Sequence, residues 1–218
     1  MNKIDFLKRI GLFILGLFIM SVGIAMIKFA ELGVTPISSI PNVFSIKTTD
    51  ISLGKFIIIW NILLIIGQIL ILRKNFKIYQ LIQVPISFLF GYFTDLGLYF
   101  ISNFRIDSYL QSLIFLIIGI LILSLGISIT VVADVILNSG EAFVKVISEK
   151  KDLDFGKVKI GFDTSCVILS VILSLIFFGS IEGTREGTIL SALLTGSIVN
   201  IILKHINDPL LSILNIKK

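Results

Sequence analysis

Six long apolar runs dominate this sequence and limit what it can fold into. They cover approximately residues 10–30, 54–72, 78–101, 109–133, 158–180 and 187–204. A membrane-spanning helix needs about 17 to 25 mostly apolar residues, so each run is long enough to form one. The chain is 56% hydrophobic and 15% charged, with a mean hydropathy of +1.04, which soluble globular domains do not reach. The sequence therefore predicts an all-α, polytopic membrane protein with six transmembrane helices, forming a single membrane domain over residues 1–218.

The two halves of the sequence carry the same pattern of residues, which indicates a duplicated unit. Gly16 and Gly23 in the first run have counterparts in Gly119 and Gly126 of the fourth. Further counterparts follow in the same order: Glu31 and Asp134, Gly54 and Gly156, Asn61 and Asp163, Gly91 and Gly196, and Asp95 and Asn200. Self-similarity at a constant offset is the signature of an internal repeat. We therefore predict repeat one over residues 9–103 and repeat two over residues 109–206.

Each predicted repeat contains three spans, and this odd number places the second copy upside down relative to the first. Inverted repeats are typical of many secondary transporters, whose substrate sites lie near the midplane between the two halves. Channels and non-transporting membrane proteins can share the same symmetry. Apolar residues at helical spacing follow the first and fourth spans, within residues 37–44 and 142–147. We expect a short interfacial or re-entrant helix at each of these two places.

Small residues on the first and fourth spans predict where the two repeats meet. Ser21-x-x-x-Ala25 surrounds Gly23, and Ser124-x-x-x-Ser128 surrounds Gly126. Small side chains allow helix backbones to approach closely within a membrane. We therefore expect a central contact between the first and fourth spans.

The charge distribution predicts the orientation of the chain. Most of the 19 Lys and Arg residues lie on the same side as the N-terminus, and the others are Lys28, Lys47, Lys55, Arg105 and Arg185. Cytoplasmic loops are enriched in Lys and Arg, so both termini are predicted to be cytoplasmic. The first run is longer than the roughly 7 to 15 residues of a secretory signal core, which predicts a retained helix. The net charge of +5 then reflects cytoplasmic loops that are rich in Lys and Arg and lie against anionic lipid, so we expect no nucleic-acid partner.

Polar residues inside the apolar runs are the candidate substrate-binding or ion-binding residues. An ionisable side chain at a helix centre costs about 2.5–3.5 kcal/mol on insertion, so each one requires an explanation. The repeat-equivalent pairs of Asn61 with Asp163 and Asp95 with Asn200 could line a cavity for a cation, a proton or a ligand amine. The structural alternative is an ion pair between Asp163 and Lys159, four residues earlier, and an Asp95 near the outer end of its span.

Residues 181–188, Ile-Glu-Gly-Thr-Arg-Glu-Gly-Thr, form the densest polar motif of the sequence. Arg185 could pair with a carboxylate or phosphate of a substrate, and Glu186 and Thr188 are further candidates for the same site. The alternative is that Arg185 forms an ion pair with Glu182 or Asp95 while a threonine caps the last helix.

Four short motifs occur in the same order as in a known group of membrane proteins. They are Leu32-Gly-Val-Thr-Pro36, Gly91-Tyr-Phe-Thr-Asp95, Lys159-Ile-Gly-Phe-Asp163 and Arg185-Glu-Gly-Thr188. With these motifs the chain resembles the YczE/YitT group of bacterial membrane proteins over almost its whole length. It is closest to the YczE branch, because the soluble C-terminal domain of YitT-type members is missing, while residues 134–138 depart from the Leu-Gly-Val-x-Pro form. The resemblance implies a bacterial cytoplasmic membrane and marks the polar residues of these motifs for testing, but it implies no substrate.

The sequence favours transport over catalysis. It has no Gly-x-x-x-x-Gly-Lys-Ser/Thr loop, no His/Cys metal cluster and no Ser/His/Asp set, so we expect no enzymatic activity, metal or cofactor. The leading hypothesis is a secondary carrier or exporter of a small polar or amphiphilic molecule, with proton coupling through Asp163 or Asp95. The alternatives are an accessory protein that docks a partner through residues 141–150 and a substrate-capture subunit of an ATP-driven transporter. Expected partners are the lipid bilayer, an unidentified small molecule, and a second copy of the chain or another membrane protein.

Overall fold

The structure is a computed structural model that describes residues 3–213, without the side chains of residues 3, 207–209 and 211–213. Within this part of the chain it contains eight α-helices and no strands. They are α1 (Lys3–Phe29), α2 (Ser39–Lys47), α3 (Leu53–Leu72), α4 (Gln83–Ile101), α5 (Tyr109–Ala133), α6 (Ser139–Lys151), α7 (Phe155–Phe178) and α8 (Glu186–Ile213). Of the described helices, α1, α3, α4, α5, α7 and α8 are long and apolar enough to cross a membrane. This confirms the predicted all-α fold with six apolar spans.

The two short helices occur where they were predicted, after the first and fourth spans. α1 and α5 both end just before a residue in the left-handed region, Glu31 with φ 58° and its repeat counterpart Asp134 with φ 49°. A left-handed residue cannot continue a right-handed helix, so the chain turns at the same position in both repeats. In the second break, the side chain of Asn138 accepts the Ser139 N–H at 2.9 Å and thereby caps α6.

The helices differ from the apolar runs mainly at their ends. α1 begins at Lys3, well before residue 10, and α8 continues to Ile213, beyond residue 204. Hydropathy marks only the part of a helix that suits hydrocarbon, whereas backbone hydrogen bonding continues through flanking polar residues. A 3-10 turn at residues 73–75 precedes the third run, which begins with a second 3-10 segment at residues 78–82, and the α-helix itself starts at Gln83. The last residues, on which the predicted cytoplasmic C-terminus depends, lie outside the described residues.

α1 and α5 pack together at the centre of the molecule, which confirms the predicted contact between the first and fourth spans. Gly16 lies against Thr130, whereas Gly23 lies against Leu123, so rising positions of α1 meet falling positions of α5. The two helices are therefore antiparallel. Because α1 and α5 are equivalent helices of the two repeats, this arrangement is the one that inverted copies require.

The remaining helix contacts occur in equivalent pairs, with one exception. The contact of α1 with α4 matches that of α5 with α8, and the contact of α2 with α3 matches that of α6 with α7. Between the repeats, α2 packs on α7 as α6 packs on α3. However, α3 packs extensively on α4, while α7 makes no comparable contact with α8 in the described chain. The two halves thus differ at one place, the space between α7 and α8.

Candidate functional site

The space between α7 and α8 belongs to a cavity of about 720 Å³ that is lined by both repeats. Small-molecule sites in proteins have volumes of about 300–1,000 Å³, so this cavity is large enough for a metabolite. Apolar side chains make up most of its lining, among them Met20, Ile24, Ile57, Phe90, Leu123 and Ile127. The breaks after α1 and α5 also contribute, through residues 35–38 and 137–138. The cavity therefore lies where the interrupted segments of the two repeats meet.

Three of the predicted site residues line this cavity: Asn61 on α3, Asp163 on α7 and Asn200 on α8. Asn61 is only 3% exposed, whereas Asn200 lies on an exposed face of α8. Asn61 and Asp163 are repeat counterparts, and their meeting at one cavity is what a site on a pseudo-two-fold axis would produce. The two residues that the sequence paired thus line one cavity, although that cavity is largely apolar and not the polar one predicted.

Asp163 forms an ion pair with Lys159, one turn earlier on α7. The ammonium group of Lys159 donates to both carboxylate oxygens of Asp163 at 2.6 Å. The i,i+4 pair that the sequence offered as the structural alternative is therefore present, but both of its partners also line the cavity. Within the described residues, no group of three or more His, Cys, Asp or Glu side chains could hold a metal ion.

Two further cavity residues, Trp60 and Glu141, were not among the predicted site residues. No hydrogen-bonding partner within the described chain reaches Trp60 Nε1, Asn61 Nδ2 or Glu141 Oε2, although all three atoms are buried. An unsatisfied buried polar atom costs about 1–3 kcal/mol, so three such atoms from residues of one cavity suggest a ligand. The sequence signal for Glu141 was an acidic residue at the start of a short helix between spans, but only the apolar face of that helix entered the prediction.

Asp95 lies outside the cavity and joins α3 to α4. The hydroxyl of Ser52 donates to Asp95 Oδ2 at 2.5 Å, and the backbone N–H of Gly54 donates to Oδ1 at 2.8 Å. A Cβ added at Gly91 would lie 2.5 Å from the carbonyl oxygen of Gly54, so the two helices touch through their backbones. We refer to Ser52, Gly54, Gly91 and Asp95 as the α3–α4 clasp. It closes repeat one beside the cavity.

The repeat counterparts of the clasp do not touch across the two helices: Asp154 and Gly156 at the start of α7 are separated from Gly196 and Asn200 on α8. Ser52 and Asp154 each cap the N-terminus of their helix by accepting a backbone N–H, so these two positions are equivalent in structure. Nothing lies within 4 Å of a Cβ added at Gly196, and at Gly156 such an atom meets only Asp154. The same set of positions is therefore closed in repeat one and open in repeat two.

Arg185 and Glu186 do not line the cavity. The guanidinium of Arg185 pairs with Glu186 at 3.2 Å and donates to the backbone oxygen of Glu31 at 3.2 Å, and its side chain is half exposed. The ion pair with Glu182 or Asp95 that the sequence offered as an alternative is not found among the described residues, so that part of the alternative was wrong. Arg185 instead lies over the turn that ends α1.

Thr188 is fully buried and fixes the break after α1 against the start of α8. Its hydroxyl oxygen accepts the backbone N–H of Val34 at 3.1 Å. One residue earlier, the N–H of Gly187 donates to the carbonyl of Leu32 at 2.7 Å. The motif at residues 181–188 thus supports the backbone beside the cavity, and Thr188 does not line the cavity itself.

Replacing Thr188 with valine is expected to destabilise the protein by about 1–3 kcal/mol, because the buried N–H of Val34 loses its acceptor while the side-chain shape is kept. For a chain of this size each kcal/mol corresponds to about 2–4 °C in Tm. Thr94→Val is the matched control, since the Thr94 hydroxyl donates only to a carbonyl of its own helix. A thermal unfolding scan in detergent that finds equal Tm values for the two variants would contradict this role of Thr188.

Together, the six apolar helices and the cavity between two repeats define a multi-pass helical membrane protein with a site suited to a small molecule. The chain belongs to a family of unknown function, DUF6198, whose sequence model matches residues 7–204. No match was found among curated proteins or among solved structures. The matched region includes every residue that lines the cavity.

Proposed function

We propose that the protein is a secondary carrier of a small amphiphilic molecule, which binds in the cavity between α7 and α8. The observation that carries this proposal is the difference between the repeats: the α3–α4 clasp is closed, while its counterpart is open at the cavity. In carriers built from inverted repeats, the two halves exchange conformations and expose a central site to each side in turn. A protein with two equivalent clasps, one closed and one open, has the parts that such an exchange needs.

In the second state of this carrier, the α3–α4 clasp opens and the counterpart clasp closes. Asn200 then takes the place that Asp95 holds now, and its side-chain oxygen accepts the N–H of Gly156. Gly196 packs on Gly156 as Gly91 packs on Gly54. If both termini are cytoplasmic, as the charge distribution predicts, the present state opens toward the cytoplasm, because α7 begins on that side.

The carrier is favoured over the accessory protein because the apolar face of α6 is already in use. Phe143 packs on the Phe162 ring of α7, with 5.4 Å between ring centroids, and a Cβ added at Gly67 of α3 would lie 2.6 Å from its ring. A partner could not engage Phe143 without displacing these contacts. A substrate-capture subunit would have a similar cavity but would need an ATPase for movement, so reconstitution of the chain alone separates the two.

We also propose that this family is related to the YczE/YitT group and resides in the bacterial cytoplasmic membrane. The support is the order of the four motifs, of which Gly91-Tyr-Phe-Thr-Asp95 supplies the clasp and Lys159-Ile-Gly-Phe-Asp163 supplies the cavity ion pair. Arg185-Glu-Gly-Thr188 supports the first break from outside the cavity.

Purified protein in liposomes is expected to exchange at least one component of a ¹³C-labelled bacterial metabolite extract, measured by mass spectrometry against empty vesicles. Asn61→Leu keeps the side-chain volume nearly constant but removes a polar group from the cavity, and we expect it to reduce exchange about tenfold or more. Asn103→Leu, in an exposed loop, is the control for protein quality. If well-folded wild-type protein exchanges nothing above empty vesicles, the carrier proposal fails. If Asn61→Leu exchanges as well as wild type, the cavity is not the transport site.

A further inference from the structure

The formal charges of the side chains that line the cavity do not sum to zero. Its lining contains three of them, Lys159, Asp163 and Glu141. Lys159 and Asp163 neutralise each other in a two-oxygen ion pair, which leaves the carboxylate of Glu141 as an uncompensated negative charge. A buried charge that is unpaired is costly, so the site requires either a proton on Glu141 or a cation beside it.

The fold does not need a carboxylate at this position. Glu141 and Pro41 are each the third residue of their short helix, and both line the cavity. Repeat one therefore builds the equivalent helix with a proline. In α6 the N-terminal cap is provided by Asn138, and the Oε2 atom of Glu141 has no partner among the described residues. The carboxylate thus keeps one buried oxygen, Oε2, without a partner on the wall of the cavity.

The surroundings of Glu141 allow it to exist in either protonation state. α6 lies outside the six candidate spans and packs against α3 and α7. Burial raises the pKa of Glu141 above its usual range, the Lys159 ammonium and a hydrogen bond from the backbone N–H of Glu141 itself lower it, and the Asp163 carboxylate raises it. The residues that α3 contributes to the cavity are Ile57, Trp60 and Asn61, all uncharged. A proton on Glu141 therefore competes with any cation in a pH range above that of an ordinary glutamate.

Two unsatisfied hydrogen-bond donors belong to residues that line the same cavity. The indole N–H of Trp60 and the side-chain amide N–H of Asn61 have no acceptor within the described chain. A ligand that satisfies them must carry a hydrogen-bond acceptor, and the largely apolar lining favours an apolar body. The ligand that fits this cavity therefore carries a positively charged nitrogen and a hydrogen-bond acceptor on an apolar body.

We infer that the cavity binds an apolar organic amine in its ammonium form at Glu141, with its acceptor group on Trp60 and Asn61, and that this amine and a proton exclude each other. Exchange of the two ions across the membrane rests on the proposed carrier function, whereas the binding competition does not. The predicted coupling residues were Asp163 and Asp95, but the first is paired with Lys159 and the second forms the clasp. Glu141 is the carboxylate with an unpartnered oxygen in the cavity.

The test measures binding of three matched probes to purified full-length protein in detergent: tyramine, tyrosol and 4-hydroxyphenylacetate. They share one phenol ring and differ in carrying an ammonium, a hydroxyl or a carboxylate group. We expect tyramine to bind most tightly and to release protons, detectable with a pH electrode in weak buffer. Below the pKa of Glu141 its affinity is expected to rise about tenfold per pH unit and then to level off above that pKa, because one proton is displaced for each amine bound.

Glu141→Gln is expected to weaken tyramine binding about tenfold or more and to abolish proton release, since the neutral amide keeps the shape and loses the charge. Glu149→Gln, on the exposed face of the same helix, should bind like wild type. The inference is overturned if tyramine does not bind to monodisperse wild-type protein, if tyrosol or 4-hydroxyphenylacetate binds as tightly, or if Glu141→Gln binds tyramine unchanged. If tyramine binds with proton release but no compound is exchanged in liposomes, the site stands and the carrier function fails.

Discussion

Replacing Gly23 with leucine is expected to remove most of the folded protein from a membrane preparation. A Cβ added at Gly23 would lie 2.7 Å from the Cα of Leu123, and one added at Gly126 would lie 2.6 Å from the Cα of Met20. Overpacking of a core typically costs about 1–3 kcal/mol when side chains can move aside. Here the obstacle is the backbone of the opposite helix, which cannot change rotamer, so α1 and α5 would have to separate along the contact that joins the two repeats.

Size-exclusion chromatography of a fluorescent fusion measures this effect without knowledge of the ligand. Gly161→Leu is the matched control, because Gly161 lies on α7 with nothing within 4 Å of an added Cβ. Gly23→Ala should give an intermediate loss, since one methyl group demands a smaller separation. A monodisperse Gly23→Leu peak equal in height to that of Gly161→Leu would show that the central contact does not hold the repeats together.

The sequence was sufficient to predict the parts of the fold that depend on local pattern. Long apolar runs located the spans, because a helix in hydrocarbon must be apolar over its whole length. The small residues around Gly23 and Gly126 predicted the central contact, since close backbone approach in a membrane requires small residues on both partners. The match between Glu31 and Asp134 correctly placed the two breaks, where both residues are left-handed.

The sequence was insufficient wherever the answer depends on which conformation each repeat adopts. The two copies of the pattern have equivalent sequences. The identities of Asp95 and Asn200 therefore do not predict that Asp95 closes a clasp while Asn200 lines an open cavity. Thr188 was predicted as a binding residue because it is polar, whereas its hydroxyl accepts a backbone N–H from a segment far away in sequence. Glu141 was missed because a carboxylate on a short helix is ordinarily solvated, and its enclosure depends on α3 and α7.

Gly196→Leu is expected to leave the protein folded while reducing exchange at least about tenfold. In the present state an added Cβ at Gly196 meets nothing within 4 Å, so the leucine has room. In the second state of the proposed carrier, Gly196 would pack on Gly156 as Gly91 packs on Gly54 now, where a Cβ would lie 2.5 Å from a carbonyl oxygen. A leucine would prevent that approach, and a carrier confined to one state cannot complete its cycle, since movement of substrate needs both conformations.

Cysteine cross-linking tests this restriction directly. With Cys166 replaced by serine, cysteines at positions 154 and 200 should form a cross-link only when α7 closes on α8. The side chains of their counterparts meet in the closed clasp, where Ser52 Oγ lies 2.5 Å from Asp95 Oδ2. We expect an oxidant to trap the 154–200 pair in otherwise unchanged protein and to fail when Gly196→Leu is added. The 52–95 pair should cross-link in both backgrounds, and more completely with the leucine, because closure of one clasp excludes closure of the other. Equal cross-linking of the 154–200 pair with and without the leucine would mean that the two repeats do not exchange conformations through these glycines, and the asymmetry between them would then be a fixed feature of the fold.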